Sequence, residues 1–284
     1  MRPNTEVHSA RVPDRSQEAY LKSAHFPRPH EVEALKLSIV TAVYNRQATI
    51  AQAIASVSAQ SYQDVEHLII DGASKDGTMR EVNRLKHPKM RVISGPDQGI
   101  YDALNKGIRH ATGEVVGLMH SDDFFAHDQV LEKVALAFAS TGADAVYGDL
   151  DYVAATDTTR VIRHWRSGEF APQRLARGWM PPHPTLFIRR EAMINLGLYQ
   201  TEYQISADYE AILRWFGKGK LSLTYIPEVL VKMRVGGESN RSLGRILRKS
   251  REDYRALRSN GVGGMQALVW KNLSKLPQFL NKKD

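Results

Sequence analysis

Four aspartates follow apolar runs in the first half of the chain. Asp71 ends one run, Asp97 comes just past another, and the pair Asp122–Asp123 follows a third. If these carboxylates lie close together, they hold a diphosphate poorly unless Mg²⁺ or Mn²⁺ lies between the carboxylates and the diphosphate. Each aspartate also lies shortly before a predicted helix, so helix capping is the other interpretation. The adjacent pair favours a cation, because two neighbouring carboxylates repel each other without compensation.

These aspartates need a sheet to bring them together. Apolar periodicity predicts strands at 37–43, 65–71, 90–95, 114–120 and 143–153, alternating with helices at 47–60, about 79–85, 99–110 and 129–140. This alternation predicts a doubly wound, mostly parallel α/β sheet, whose strands bind ligands at their carboxyl ends. The pattern then loosens, with a helix predicted at 206–216 and strands at 222–226 and 229–235. We therefore expect a less regular second half.

Two phosphate-binding motifs are absent. The sequence has no GxxxxGK[ST] string, and no GxGxxG follows the first predicted strand. P-loop NTPases and dinucleotide-binding dehydrogenases therefore lose their main support. The loop after the first strand contains Tyr44, Asn45 and Arg46 instead, which suits contact with a nucleoside.

Composition narrows the class of protein further. The 284 residues include no cysteine, which excludes disulfides, thiolate nucleophiles and cysteine-ligated zinc. No apolar run approaches the roughly 20 residues that span a bilayer, and the N-terminus lacks the apolar core of a secretory signal. We expect residues 1–36, which have no periodicity, to be a flexible extension of a cytoplasmic protein.

The net charge of +8 is concentrated at the C-terminus. Residues 1–240 balance at 28 basic and 28 acidic side chains, whereas 241–284 hold 11 basic and three acidic ones. Helical spacing puts apolar residues on one face, first Leu243, Ile246, Leu247, Tyr254 and Leu257, then Val269, Leu273, Leu276 and Leu280, with a kink expected at Pro277. A basic amphipathic helix indicates binding to an anionic membrane surface on the cytoplasmic face. Packing of this face on the catalytic domain or on a second subunit, as in a homo-oligomer, is the alternative.

Two long segments resemble one family. LSIVTAVYNRQATIAQAIASVSAQSYQDVEHLIIDGASKDGT and GPDQGIYDALNKGIRHATGEVVGLMHSDD are similar to the opening of family 2 glycosyltransferases, which have the GT-A fold. A thinner likeness continues through PPHPTLFIRRE, SADYEAILRW and RVGGES to about residue 240. The resemblance implies an inverting, metal-dependent transfer from a nucleotide-sugar, most simply a UDP-sugar, to a glycan or lipid-linked acceptor in polysaccharide synthesis. It places a donor half at 37–123 and an acceptor half at 124–240.

The resemblance also implies site residues. Donor-binding positions are Thr41, Tyr44, Asn45, Asp71, Asp97, Asp102 and Asn105, and the metal-binding DXD-type positions are Asp122 and Asp123. His120 stands where the family often has another aspartate, which leaves open whether it contacts the metal or the sugar. Asp208 in SADYE matches the general base. An acid favoured by the dipole at a helix N-terminus is the alternative interpretation of Asp208.

Three further positions have weaker support. His183, between two prolines, either orients the acceptor or is an ordinary loop residue. Trp179 either stacks on a sugar or anchors packing. Arg234 opens a glycine-containing loop that either closes over the diphosphate or forms a plain turn.

Two other functions stay open on the sequence alone. A sugar nucleotidyltransferase would share an α/β nucleotide-binding fold. It needs a loop rich in glycine and in Arg or Lys after the first strand, and this sequence has no such loop there. A nucleic-acid-binding protein would use the basic tail, but it leaves the aspartates unexplained. We therefore do not expect nucleic acid as a partner.

Overall fold

The computed structural model describes residues 35–235 and 243–273. The predicted extension at 1–36 lies outside these residues except for its last two positions. Residues 236–242, which include most of the RVGGES loop, and 274–284 also lie outside them.

The strands are β1 (Leu37–Val43), β2 (Val65–Asp71), β3 (Met90–Ser94), β4 (Val115–Leu118), β5 (Phe124–Phe125), β6 (Ala145–Val153), β7 (Val161–Trp165), β8 (Phe187–Arg189) and β9 (Leu223–Arg234). The helices are α1 (Ile50–Ser58), α2 (Thr78–Arg84), α3 (Ile100–His110), α4 (Val130–Thr141), α5 (Pro172–Leu175), α6 (Arg190–Asn195), α7 (Ala207–Ile212), α8 (Leu243–Ser259) and α9 (Met265–Leu273).

The first four long strands form the predicted parallel sheet. Their order is β3-β2-β1-β4, and each neighbouring pair runs in parallel. Every residue of β1 and β2 is buried, as expected for strands covered on both faces. The α/β fold is confirmed, and the carboxyl ends of β1 and β2 lie side by side because Val43 pairs with Asp71.

The second half of the sheet is mixed, as expected. β8 joins β4 and β6 in antiparallel pairs, β9 runs parallel to β6, and β5 and β7 pair with β9 and β6. The prediction of two strands near 222–235 was wrong, since β9 is continuous. Its register moves four residues, from Tyr225 to Val229, while β6 advances two, from Tyr147 to Asp149, and this irregularity accommodates Pro227, which has no N–H to donate.

The C-terminal residues form helices, as predicted, but they bury a different face. The side chains of α8 that face the core are Asp253, Ala256 and Leu257, and Asn260 follows the helix. Ile246 and Leu247 stay 48% and 68% exposed, so only part of the predicted apolar stripe packs on the protein. Lys271 of α9 is buried and pairs with Asp253 at 2.8 Å.

Within the described residues, no helix is long and apolar enough to cross a membrane.

Candidate active site

The ends of β1 and β2 form a polar wall around Asp71. Its carboxylate accepts hydrogen bonds from Ser94 Oγ at 2.6 Å and from the Ser74 N–H at 3.1 Å. Asn45 and Ala73, which follow the two strands, have positive φ angles of 52° and 61°. Non-glycine residues adopt this backbone only where surrounding contacts hold them, and such strain is concentrated at functional sites.

Tyr44 and Asn45 lie at the mouth of this wall. Tyr44 is 53% exposed, which leaves its ring free to stack on a planar ligand. The Asn45 side-chain oxygen accepts a hydrogen bond from the Lys75 N–H at 2.9 Å, so it ties the β1 loop to the β2 loop.

Two predicted donor-binding residues lie inside the protein instead. Thr41 is fully buried, with its hydroxyl 2.9 Å from Nε2 of His67, whose pKa burial lowers to about 3. Asn105 is buried as well, and its amide makes two hydrogen bonds to the backbone of Tyr199. Thr41 and Asn105 thus support the wall from behind, because their polar atoms are already paired away from the cleft.

Asp97 and Asp102 shape the turn before α3. Asp97 accepts a hydrogen bond from the Gly99 N–H at 2.9 Å, and Asp102 accepts one from the Gln98 N–H at 3.1 Å. The Gln98 bond and the neighbouring Lys106 lower the pKa of the Asp102 carboxyl. Asp102 thus stabilises the first turn of α3, and Asp97 Oδ1 holds the Gly99 N–H just before the helix.

The pair Asp122–Asp123 is tied to the far end of β9. The Arg234 N–H donates to Asp123 Oδ1 at 3.2 Å, and the Arg234 guanidinium donates to the Asp122 carbonyl and to Gln52. Asp123 Oδ2 is buried and accepts no hydrogen bond from any described residue. Burial and the neighbouring Asp122 raise the pKa of Asp123 well above its usual value.

This carboxylate pair suits a divalent cation. An unpaired buried carboxylate oxygen beside a second carboxylate is compensated by Mg²⁺ or Mn²⁺, both of which prefer oxygen ligands. Among the described residues, no group of three or more histidines, cysteines, aspartates and glutamates is arranged to hold a metal. A cation held by this pair would complete its coordination with oxygens from water or from a ligand such as a diphosphate.

Asp208, His183 and His120 form a hydrogen-bonded chain. His183 Nδ1 lies 3.0 Å from Asp208 Oδ2, and His183 Nε2 lies 2.8 Å from His120 Nε2. Asp208 Oδ1 lies 3.4 Å from the Tyr101 hydroxyl, which donates a shorter bond of 2.7 Å to the Ile205 carbonyl. With 19% of its side chain exposed, Asp208 can still reach a ligand.

The charges around this chain keep Asp208 ionised. Burial alone would raise the pKa of its carboxyl, but the charge and hydrogen bond of His183, together with the charge of Lys249, hold the pKa well below its usual value. Burial and His183 lower the pKa of His120 to about 4, against the opposing charges of Asp122 and Asp208. His120 thus lies within electrostatic range of both Asp122 and Asp208.

Trp179 lies away from this chain. Its indole N–H donates to the Ser167 carbonyl at 2.8 Å, and its ring packs against Tyr147 and Phe170. The packing interpretation therefore suits Trp179 better than sugar stacking.

Glu252 of α8 was not identified from the sequence. Its carboxylate accepts hydrogen bonds from three successive backbone N–H groups, those of Gln204 at 3.1 Å and of Ile205 and Ser206 at 2.9 Å. This segment leads directly into α7 and Asp208. No local pattern marks Glu252, because its partners lie 46 to 48 residues away.

Comparisons with known proteins identify the family and the fold of the chain. The sequence matches the family described as Glycosyl transferase family 2 over residues 38–199. An uncharacterised glycosyltransferase of Mycobacterium tuberculosis is 30% identical over 63% of this chain and 68% of its own length. A PGL/p-HBAD biosynthesis glycosyltransferase of Mycobacterium bovis is 29% identical over 72% and 78%.

Two solved structures share the fold. S. aureus TarS 1–349, in complex with UDP-GlcNAc, superposes with a TM-score of 0.65 at 17% identity, covering 87% of this chain and 72% of TarS 1–349. The mannosyltransferase PcManGT from Pyrobaculum calidifontis, in complex with GDP-Man and Mn²⁺, gives 0.62 at 19% identity, covering 93% and 76%. On the family match and the curated relatives, the chain belongs to the family 2 glycosyltransferases and is a glycosyltransferase of GT-A type.

Proposed function

We propose that the protein is an inverting, metal-dependent glycosyltransferase that uses a UDP-sugar. The observation that carries this proposal is Asp208, a partly exposed carboxylate whose pKa is held low and which His183 orients. His183 in turn is hydrogen-bonded to His120, which lies within electrostatic range of Asp122. An inverting transfer needs a base on one side of the sugar and a stabilised leaving group on the other. The sugar-nucleotide complexes of TarS and PcManGT support the donor class.

Asp208 is the proposed general base. Its Oδ2 is bonded to His183, so Oδ1 takes the proton of the acceptor hydroxyl as that oxygen bonds to the sugar carbon. The bond between this carbon and the diphosphate oxygen breaks, and the nucleoside diphosphate leaves with the electron pair. His183 is better described as a positioning residue than as an acceptor ligand, since both ring nitrogens already have partners.

Donor binding is assigned to the edge formed by β1, β2 and β4. Tyr44, Asn45 and Asp71 receive the base and ribose, and Asp97 faces the sugar. Asp122 and Asp123 would hold Mn²⁺ or Mg²⁺ together with the diphosphate, and the bound cation would stabilise negative charge on the leaving group. Arg234 holds this pair in place through its hydrogen bonds to both residues.

The acceptor is proposed to be a glycan or a lipid-linked glycan used for cell-surface polysaccharide. The exposed Ile246 and Leu247 of α8, among basic residues, favour peripheral binding at the cytoplasmic face of a membrane. Flotation of the full chain with phosphatidylglycerol vesicles should fall when both are changed to serine. Unchanged flotation of the double variant would contradict membrane binding through this helix.

A thermal shift screen tests the donor assignment. Saturation by UDP and Mn²⁺ at about 100 times Kd should stabilise the chain by about 2.7 kcal/mol, a rise in Tm of about 5 to 10 °C. EDTA should abolish the rise, and GDP and TDP serve as matched nucleotides. If no nucleoside diphosphate raises Tm with Mn²⁺, the proposed function fails.

A further inference from the structure

An arginine-lined recess lies between α8 and the segment that leads to Asp208. Its volume is about 610 Å³. The lining comprises Glu202, Gln204, Gly244, Leu247, Arg248, Arg251, Glu252 and Arg255. The recess thus has one wall from the helix and one from the 202–204 segment, and neither the proposed donor site nor the aspartate pair contributes to it.

The helix places three cations on one face of this recess. Arg248, Arg251 and Arg255 are spaced three and four residues apart, which aligns them along α8. Arg248 donates to the Gln204 side chain, and Arg255 pairs with Glu202 at 2.5 Å, so both guanidinium groups are held across the opening. Arg251 lies between them and has no ion pair with any described residue.

The acidic residues of the recess are already engaged. Glu252 accepts the three backbone N–H groups of 204–206, and Glu202 is bonded to Arg255. Arg251 is therefore available for an external anion, and a planar guanidinium binds phosphate oxygens in a bidentate manner. Charge complementarity indicates a ligand with a phosphate group.

The same recess has an apolar side. Leu247 lines it and is 68% exposed, and the neighbouring Ile246 is 48% exposed. A ligand that combines a phosphate with a hydrocarbon chain would satisfy both Arg251 and Leu247, whereas a free phosphate would use only the cations.

The recess is also close to the proposed base. Glu252 forms part of its wall and holds the backbone of Ser206, two residues before Asp208. Lys249, from the same helical turn, contributes to the low pKa of Asp208, so α8 lies within electrostatic range of that carboxylate. A ligand bound in the recess would therefore lie on the acceptor side of the site.

We infer that this recess binds the phosphate and the first part of the lipid chain of a lipid-linked acceptor. The inference rests on the proposed transfer reaction and narrows its acceptor class. Arg251 would bind the phosphate, with Arg248 and Arg255 alongside, and Leu247 would contact the chain. The sugar end of the acceptor would then extend toward Asp208.

Calorimetric titration of the full chain with farnesyl phosphate, below the micellar concentration of that lipid, tests whether the recess binds a lipid phosphate. Wild type should bind it, and Arg251→Gln should weaken binding by about tenfold or more, as expected for one lost charged contact. Arg258→Gln removes the same charge from the same helix outside the recess and should leave binding unchanged. Equal losses in both variants would overturn the inference, since they would show unspecific attraction to a basic helix.

Three control ligands distinguish a lipid-phosphate acceptor from a free phosphate, a plain hydrocarbon chain and a bulk membrane lipid. Farnesol and inorganic phosphate should each bind much more weakly than farnesyl phosphate. Dihexanoyl-phosphatidylglycerol represents bulk membrane lipid, and binding as tight as that of farnesyl phosphate would contradict an acceptor site. The UDP–Mn²⁺ thermal shift on the same samples reports the donor site, so a normal shift without farnesyl phosphate binding refutes this inference alone.

Discussion

The two halves of the proposed site are built in different ways. On the donor side, Tyr44 and Asn45 follow β1, Asp71 ends the neighbouring parallel strand β2, and one register places them together. On the acceptor side, Asp208 depends on contacts from Tyr101, His183 and α8, which are far apart in the sequence. The wall around Asp71 thus follows from local sequence and sheet topology. The base depends on packing between distant segments, and so does the Asp122–Asp123 pair, which Arg234 holds from the end of β9. Substitutions can test this separation.

Asp208→Asn should give the largest effect on transfer alone. Loss of a general base costs about 10²–10⁴-fold in rate, so kcat should fall by that factor. The donor side is built independently, so the thermal shift with UDP and Mn²⁺ should persist. An Asn variant with near wild-type kcat would show that Asp208 is not the base.

Asp123→Asn should instead weaken the donor side. It replaces the buried carboxylate that has an unpaired oxygen with a group of the same shape, so we expect Mn²⁺-dependent UDP binding to fall on the order of a hundredfold. The measurement is a titration of the thermal shift with Mn²⁺. Asp128→Asn, which removes a carboxylate past the same loop, is the matched control. An unchanged Mn²⁺ titration would remove Asp123 from the metal site.

Glu252→Ala should affect catalysis while sparing the donor. Three backbone N–H groups before Asp208 lose their acceptor, and we expect kcat to fall on the order of thirtyfold with the KM for the donor unchanged. Glu252→Gln keeps an acceptor oxygen and should restore part of kcat. Glu191→Gln removes an exposed carboxylate in the first turn of α6, outside the recess and without contact to these amides, and should have little effect. A parallel change in donor KM would show that Glu252 only supports the whole fold.

His183→Asn should give the smallest effect near neutral pH, about tenfold or less, since one charge-assisted hydrogen bond is lost. His183 favours the ionised form of Asp208, so its removal raises the pKa of that carboxyl. Lys249 still favours ionisation, and the hydroxyl of Tyr101 is unchanged. The acid limb of the kcat profile should therefore move to higher pH. An acid limb that stays in place would show that His183 does not tune Asp208.

Sequence patterns predicted the parallel strands of the first half of the chain for a physical reason. Buried parallel strands read as short apolar runs, and their ends are marked in the sequence by the first polar residues. The positions of Asp71 and of the Asp122–Asp123 pair followed from this. Thr41 was predicted to line the base pocket, but it lies buried in β1. A polar residue inside such a strand can pair with a neighbour, here His67, rather than face a ligand.

The C-terminal helices were harder to interpret because burial of charge is not visible in a helical pattern. The basic and apolar positions predicted a surface helix, yet Asp253 and Lys271 lie buried and bonded to each other. Lys271 also lies 3.1 Å from the ring centroid of Tyr209, next to Asp208 in the sequence. Such a pair is compensated only once the fold is formed, so local sequence gives no sign of it.

The bonds from Glu252 to 204–206 define what could be exchanged between relatives. A chimera that takes the acceptor half of another family member but keeps the present α8 would join a foreign base segment to a native carboxylate. Three consecutive backbone N–H groups, those of residues 204–206, donate to the single carboxylate of Glu252, so a shift of this segment by one residue would break these hydrogen bonds. We therefore expect that recombination must preserve or replace the 204–206 segment and α8 together.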